Sequence, residues 1–158
     1  MSNKQEMDSA FKKAMALCAG REMCVSDVSS KLASWGLEPG ESGKIIAMLV
    51  RDKFIDEERY ARAFVNDKFR HNKWGKIKLA AELRRKKLNS QTIRDALAAI
   101  DETVYLETIR SLISNQRRRI KAKSNYELRG KLVRFMLSKG FESELVYDLT
   151  GDLEEDRD

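Results

Sequence analysis

Proline occurs once in 158 residues and glycine eight times, so little in the chain would interrupt a helix. Apolar and polar residues nowhere alternate for long, which argues against strands. Cysteine and histidine are almost missing. Cys18 and Cys24, with five residues between them, and a lone His71 do not make the paired four-ligand spacing of a zinc site. Both thiols read as small apolar packing groups in a reducing compartment. The chain has no glycine-rich phosphate loop, no G-x-S-x-G turn and no acidic metal loop. No stretch approaches eighteen apolar residues, and Met1–Asp8 lacks the apolar run of a signal peptide. The expectation is a cytoplasmic protein with no membrane contact, no metal, no cofactor and no enzymatic activity.

Charge is plentiful instead, at 35% of residues, beside a 42% hydrophobic fraction able to fill a core. The net charge of +6 is unevenly spread. Residues 1–55 carry 8 basic and 7 acidic groups, residues 56–140 carry 22 and 10, and residues 141–158 carry 1 and 8. A segment so basic is the electrostatic footprint of a polyanionic or acidic partner.

Apolar spacings of three and four recur throughout, and they predict nine helices. The stripes are Phe11-Ala14-Met15-Cys18, Val25-Val28-Leu32, Ile45-Met48-Leu49, Tyr60-Phe64-Phe69, Leu79-Leu83, Ile93-Leu97, Leu106-Ile109-Leu112, Leu128-Leu132-Met136 and Leu145-Val146-Leu149. Gly36 and Gly140 stand where helix-closing glycines belong, and Ser124–Glu127 reads as a capping box. Asp56-Glu57-Glu58, the best carboxylate cluster, is placed to open the fourth helix, where acids face the positive dipole end.

The nine helices fall into three sets. With Gly36-Leu37, Lys87-Leu88 and Gly140-Phe141 superposed, Val28 falls on Leu79 and Leu132, and Leu32 falls on Leu83 and Met136. A period near fifty marks tandem helical units that bury faces against one another. The expected fold is all-α: three tandem three-helix repeats in an elongated, curved solenoid, at residues 1–55, 56–100 and 101–150. An acidic, disordered tail is expected at 151–158.

Where the core does not constrain them, the repeats differ. Asp27 in the first becomes Lys78 in the second and Lys131 in the third, and Ser34 becomes Arg85. Lys78 and Arg85 share one helical stripe turned away from Leu79 and Leu83, and Lys131 and Arg134 lie on roughly the same side of the third repeat. The run Arg117, Arg118, Arg119, Lys121, Lys123 is the densest basic segment and suits phosphate oxygens. Trp74 either stacks on a base or packs on the preceding helix, the second being favoured. A membrane-surface role for the basic stretch His71–Leu88 fails, because its charges are not confined to one face.

Four stretches, Phe54–Val65, Trp74–Leu79, Glu82–Leu88 and Lys131–Phe141, together resemble the RecX family of recombinase regulators. The resemblance spans roughly residues 10–150. It implies a regulator that binds in the helical groove of the RecA filament on single-stranded DNA. There it would modulate, chiefly inhibit, ATP hydrolysis, strand exchange and the co-protease function behind the SOS response. By position it puts partner contacts at Lys76, Lys78, Arg84 and Arg85, and at Arg129, Lys131 and Arg134, and Lys86 beside them in sequence is a further candidate. The expected partners are the RecA filament and, weakly and electrostatically, single-stranded DNA, with the chain acting as a monomer. The alternative is a free-standing nucleic-acid-binding helical protein, sequence-independent or of the helix-turn-helix type. The acidic tail is a candidate competitor of nucleic acid for the basic repeats. Removing residues 152–158 should then tighten DNA binding at low salt, and an unchanged affinity would discard the idea.

Overall fold

The computed structural model describes residues 3–153, with the side chains of 4–153. Nine α-helices are present among them and no strands: α1 (Asn3–Gly20), α2 (Val25–Ser34), α3 (Pro39–Arg51), α4 (Glu57–Asn72), α5 (Lys76–Arg85), α6 (Ser90–Ala98), α7 (Glu102–Arg119), α8 (Asn125–Ser138) and α9 (Ser143–Leu149). A 3-10 turn follows at Gly151–Leu153.

The positions aligned across the repeats are core positions. Val28, Leu79 and Leu132 are 1%, 0% and 0% exposed, and Leu32, Leu83 and Met136 are all at 0%. The closing turns repeat as well. Gly36, Lys87 and Gly140 have φ of 87°, 66° and 92°. The next amide in each case, of Leu37, Leu88 or Phe141, donates to the carbonyl five residues back, on Leu32, Leu83 or Met136. This left-handed closure satisfies carbonyls that the end of a helix leaves orphaned. Lys87 adopts it without the freedom of glycine, as do Lys53 and Lys73.

The chain divides into two compact units, a partition that cuts across the three sequence repeats. One comprises the chain up to Phe64 with Leu83–Ile93; the other comprises Val65–Glu82 with the chain from Arg94 onward. In the first, Ala10, Ala14, Met23, Val28, Leu32, Ile45, Leu49 and Ile55 form the core, with Trp35 and Leu37 packed on it. Glu57 caps α2 from a distance: its Oε2 accepts the Val25 amide at 3.1 Å. Asp56 caps its own helix by accepting the Arg59 amide at 3.0 Å. Cys24 is buried and Cys18 partly so, and burial pushes both thiols up from their ordinary range. They pack as expected.

The second unit is organised around Tyr105, which is fully buried. Its ring centroid lies 5.7 Å from those of both Phe69 and Phe141. The α7 stripe is therefore Tyr105, Ile109 and Ile113, and Leu106 and Leu112, expected inside, are only half-buried. At the start of α5 three amides find partners elsewhere. Gly75 donates to the Lys139 carbonyl (2.8 Å) and Ile77 to the Gly140 carbonyl (2.9 Å). Lys76 donates to the Tyr105 phenol oxygen at 2.9 Å, whose own proton goes to Glu142. Burial, and then that bond, push the Tyr105 phenol far up from its ordinary value. Such contact demands bare backbone on both sides. A Cβ on Gly75 would fall on the Gly140 carbonyl, and one on Gly140 would fall on the Lys78 side chain.

Two further sequence expectations change. Ser124 caps α8 by accepting the Glu127 amide at 3.1 Å, but the Glu127 carboxylate returns to the Lys123 amide and not to Ser124. The tail does not begin at 151: Leu153 is 1% exposed, and Asp152 Oδ2 lies 3.0 Å from Arg117 Nη1. A truncation that tests the tail should start after Leu153. Residues 154–158 lie outside the described part of the chain.

Gly36 and Gly140 separate backbone conformation from packing. A Cβ at Gly36 meets open space, so Gly36→Ala should cost about 1 kcal/mol, the penalty of a left-handed L residue. Gly140→Ala should cost roughly 1–3 kcal/mol more, because helix α5 must move. Equal losses in urea denaturation would refute the close crossing.

Candidate nucleic-acid interface

Thirteen cationic side chains were expected to meet a partner, and the structure sorts them by what already holds them. Lys86 is the clearest case. Its Nζ lies 2.7 Å from Asp27 Oδ1, a residue 59 positions away. Burial alone would raise the Asp27 carboxyl, but hydrogen bonds from Lys86 and Cys24 prevail and hold it below the usual carboxylate range. The same bond raises the Lys86 ammonium. The acid that sets the first repeat apart thus neutralises a cation of the second. Arg84 and Arg85, next to Lys86 in sequence, remain solvent-facing.

In the second unit Lys76 lies 4.5 Å from the Tyr105 ring centroid and 3.3 Å from Glu102 Oε2. Lys131 sits 3.0 Å from Glu127 Oε1 and donates to the Lys121 carbonyl at 2.7 Å, which draws the Lys121–Lys123 segment against α8. The bond from Lys131, then that from the Lys123 amide, hold Glu127 below the usual carboxylate range. Arg129 donates to the Tyr147 carbonyl (2.9 Å) and to Thr150 Oγ1 (3.2 Å), and its guanidinium lies 5.1 Å from the Tyr147 ring centroid. Arg118 donates to Asn115 Oδ1 at 2.5 Å. Arg117, Arg118 and Arg119 occupy the last turn of α7, where cations face the negative dipole end. Arg119, Lys121, Lys123 and Arg134 are exposed.

Sequence reasoning missed a cluster around Trp74. Lys78 Nζ lies 4.5 Å and Lys68 Nζ 5.5 Å from its ring centroid, so this half-buried indole is engaged by α4 and α5. Lys139 adds a third ammonium, donating to the Asn72 carbonyl at 2.5 Å. Burial, then the charge of Lys78, press the Lys139 pKa below its ordinary value. Lysines gathered this closely form a local excess of positive charge that an anion would relieve. The one legible signal was Lys139 directly before the closing Gly140.

No described helix is long and apolar enough to cross a membrane, and the described residues hold no group of three or more potential metal-ligating side chains.

Nine helices with three equivalent closing turns and cations outside the core define a tandem three-helix-unit protein with basic surface. The chain belongs to the RecX family: the model of the RecX second three-helix domain matches residues 56–97, and that of the third matches residues 103–149. Curated relatives named "Regulatory protein RecX" include one from Mycobacterium sp. (strain JLS), 25% identical over 93% of this chain and 81% of its own length. Another, from Lactobacillus johnsonii, is 27% identical over 90% of this chain and 53% of its own. A third, from Clostridium perfringens, is 31% identical over 73% of this chain and 55% of its own. The chain thus spans only about half the length of several relatives it matches. The crystal structure of RecX from Lactobacillus salivarius shares the fold, with a TM-score of 0.84 over 96% of this chain and 98% of that one, at 18% identity.

The Asp27–Lys86 pair has a signature in stability. With the Lys86 side chain 40% exposed, the pair is worth no more than about 1 kcal/mol. Asp27→Asn and Lys86→Met should each lose about that, and the double variant little more than either. Because the folded carboxyl titrates below its unfolded value, the stabilisation is complete above roughly pH 4 and fades as pH falls through the folded value. Chemical denaturation of parent and Asp27→Asn should converge in acid. A gap that persists at low pH would exclude the ion pair.

Proposed function

We propose that this chain binds the RecA filament on single-stranded DNA and inhibits its recombinase, ATPase and co-protease activities, restraining recombinational repair and the SOS response. Membership of a family whose relatives are named as regulatory proteins supports the reading. What carries it in this chain is the distribution of cations: residues 56–140 have 22 basic against 10 acidic groups, and exposed members such as Arg84, Arg119 and Arg134 lie outside the buried apolar stripes of their helices. Cations that the fold does not need for packing are available for a polyanion. A filament offers a DNA backbone and protein surface together, so modest contacts can add up along a repeating lattice. Binding to free DNA should accordingly be weak, indifferent to sequence and steeply salt-dependent. Base readout by a helix-turn-helix has less support: α3 and α6, the helices after the inter-helix turns, carry few arginines or asparagines to read base edges.

Adding the protein to RecA on single-stranded DNA should lower the rate of ATP hydrolysis at stoichiometric amounts. An unchanged rate would remove the proposal. A variant with Arg84, Arg119, Lys121 and Arg134 changed to Glu should fold as the parent does, since these exposed side chains support no core contact. Its filament affinity near physiological salt should drop at least about tenfold. Full inhibition by that variant would show that these cations are not the contact.

A further inference from the structure

Gly130 lies in the middle of α8, where glycine is the poorest helix former after proline. The fold does not call for it. Gly130 is absent from the positive-φ positions, and a Cβ there would meet only the Arg134 guanidinium, at an ordinary 3.6 Å. The missing side chain opens instead onto a groove of about 660 Å³ along α8 and α9. Tyr126, Leu137 and Tyr147 line it and are 73%, 40% and 49% exposed, half of the large exposed hydrophobic residues described. Arg129 is fixed over the Tyr147 ring, and exposed Arg134 borders the same groove. The carboxylate of Glu127, the one acid among the lining residues, is neutralised by Lys131. Exposed phenol rings, one backed by a guanidinium, a second cation and no uncompensated negative charge suit a planar aromatic ring that carries a phosphate.

We propose that this groove is a nucleotide subsite for single-stranded DNA, in which a base enters over Gly130 and stacks on the tyrosine rings while Arg134 takes the adjoining phosphate. The inference deepens the DNA contact in the function proposed above and rests on it. A protein segment is the competing occupant. Two phenol rings and a stacked guanidinium favour a flat base over an aliphatic anchor, which Leu137 alone would serve.

The test compares dye-labelled oligothymidylate with an abasic strand of equal length, which keeps the phosphates and lacks the bases, by fluorescence anisotropy. The parent should prefer oligothymidylate. Tyr126→Ala and Gly130→Leu should weaken oligothymidylate binding roughly fivefold or more and leave abasic binding within about twofold. Gly130→Ala should raise the melting temperature while weakening oligothymidylate binding, which a merely structural glycine would not do. Unchanged oligothymidylate affinity, or equal losses on both strands, would overturn the subsite. So would variants that lose inhibition of RecA while binding oligothymidylate normally, since the groove would then hold a protein segment. A parent that leaves RecA untouched but shows Tyr126-dependent, base-dependent binding would refute the filament function and keep the subsite.

Discussion

Three consecutive amides, of Gly75, Lys76 and Ile77, point out of the start of α5, and the second compact unit is arranged to receive them. Amides at a helix start have no partner within their own helix, and burying them unpaired is costly. Here α8 ends against α5, so the carbonyls that α8 cannot use, on Lys139 and Gly140, accept from Gly75 and Ile77. The dipoles of the two helices meet head to tail across this junction. Lys76 is left to the phenol of Tyr105, which passes its own proton to Glu142. Glycine on both sides permits the approach, and the aromatic trio of Phe69, Tyr105 and Phe141 seals it from water. Lys78 and Lys139 are brought together by the same junction, so the cationic cluster around Trp74 follows from how the backbone docks.

The repeat register was readable because it depends on spacing alone. Apolar residues three and four apart, followed by a closing residue in the left-handed region, recur at Leu32-Gly36, Leu83-Lys87 and Met136-Gly140 whatever their neighbours do. Lys87 shows that this register outweighs residue preference: the turn forms there without glycine. The stripe of α7 was misread for a related reason. Leu106 and Leu112 look more apolar than Tyr105, but α7 turns toward the partners of the phenol group, at Lys76 and Glu142. Both are distant in sequence, and no periodicity within residues 102–119 encodes them.

The candidate interface divides similarly. That the cations belong to the second and third repeats is plain from counting charges. Which of them are already held is a matter of tertiary distance. Lys86 meets Asp27 across 59 positions, and Arg117 meets Asp152 across 35, so neither pairing could be read from local pattern. The exposed set is correspondingly smaller than the basic composition implies. Affinity for a polyanion is governed by the phosphates actually neutralised, so it follows this smaller number and not the net charge.

Glycine serves two purposes here, and the space around each shows which. At Gly75 and Gly140 an added methyl would strike backbone or a neighbouring helix, so these residues are explained by packing. At Gly130 nothing strikes it, φ is unexceptional, and helix propensity is sacrificed without a structural return. A fold that keeps a weak residue where a stronger one would fit leaves room for something outside itself. The room at Gly130 opens beside two exposed tyrosines and two arginines. Helix α8 therefore carries both demands: its end is fixed by the junction with α5, and its middle is left open toward solvent.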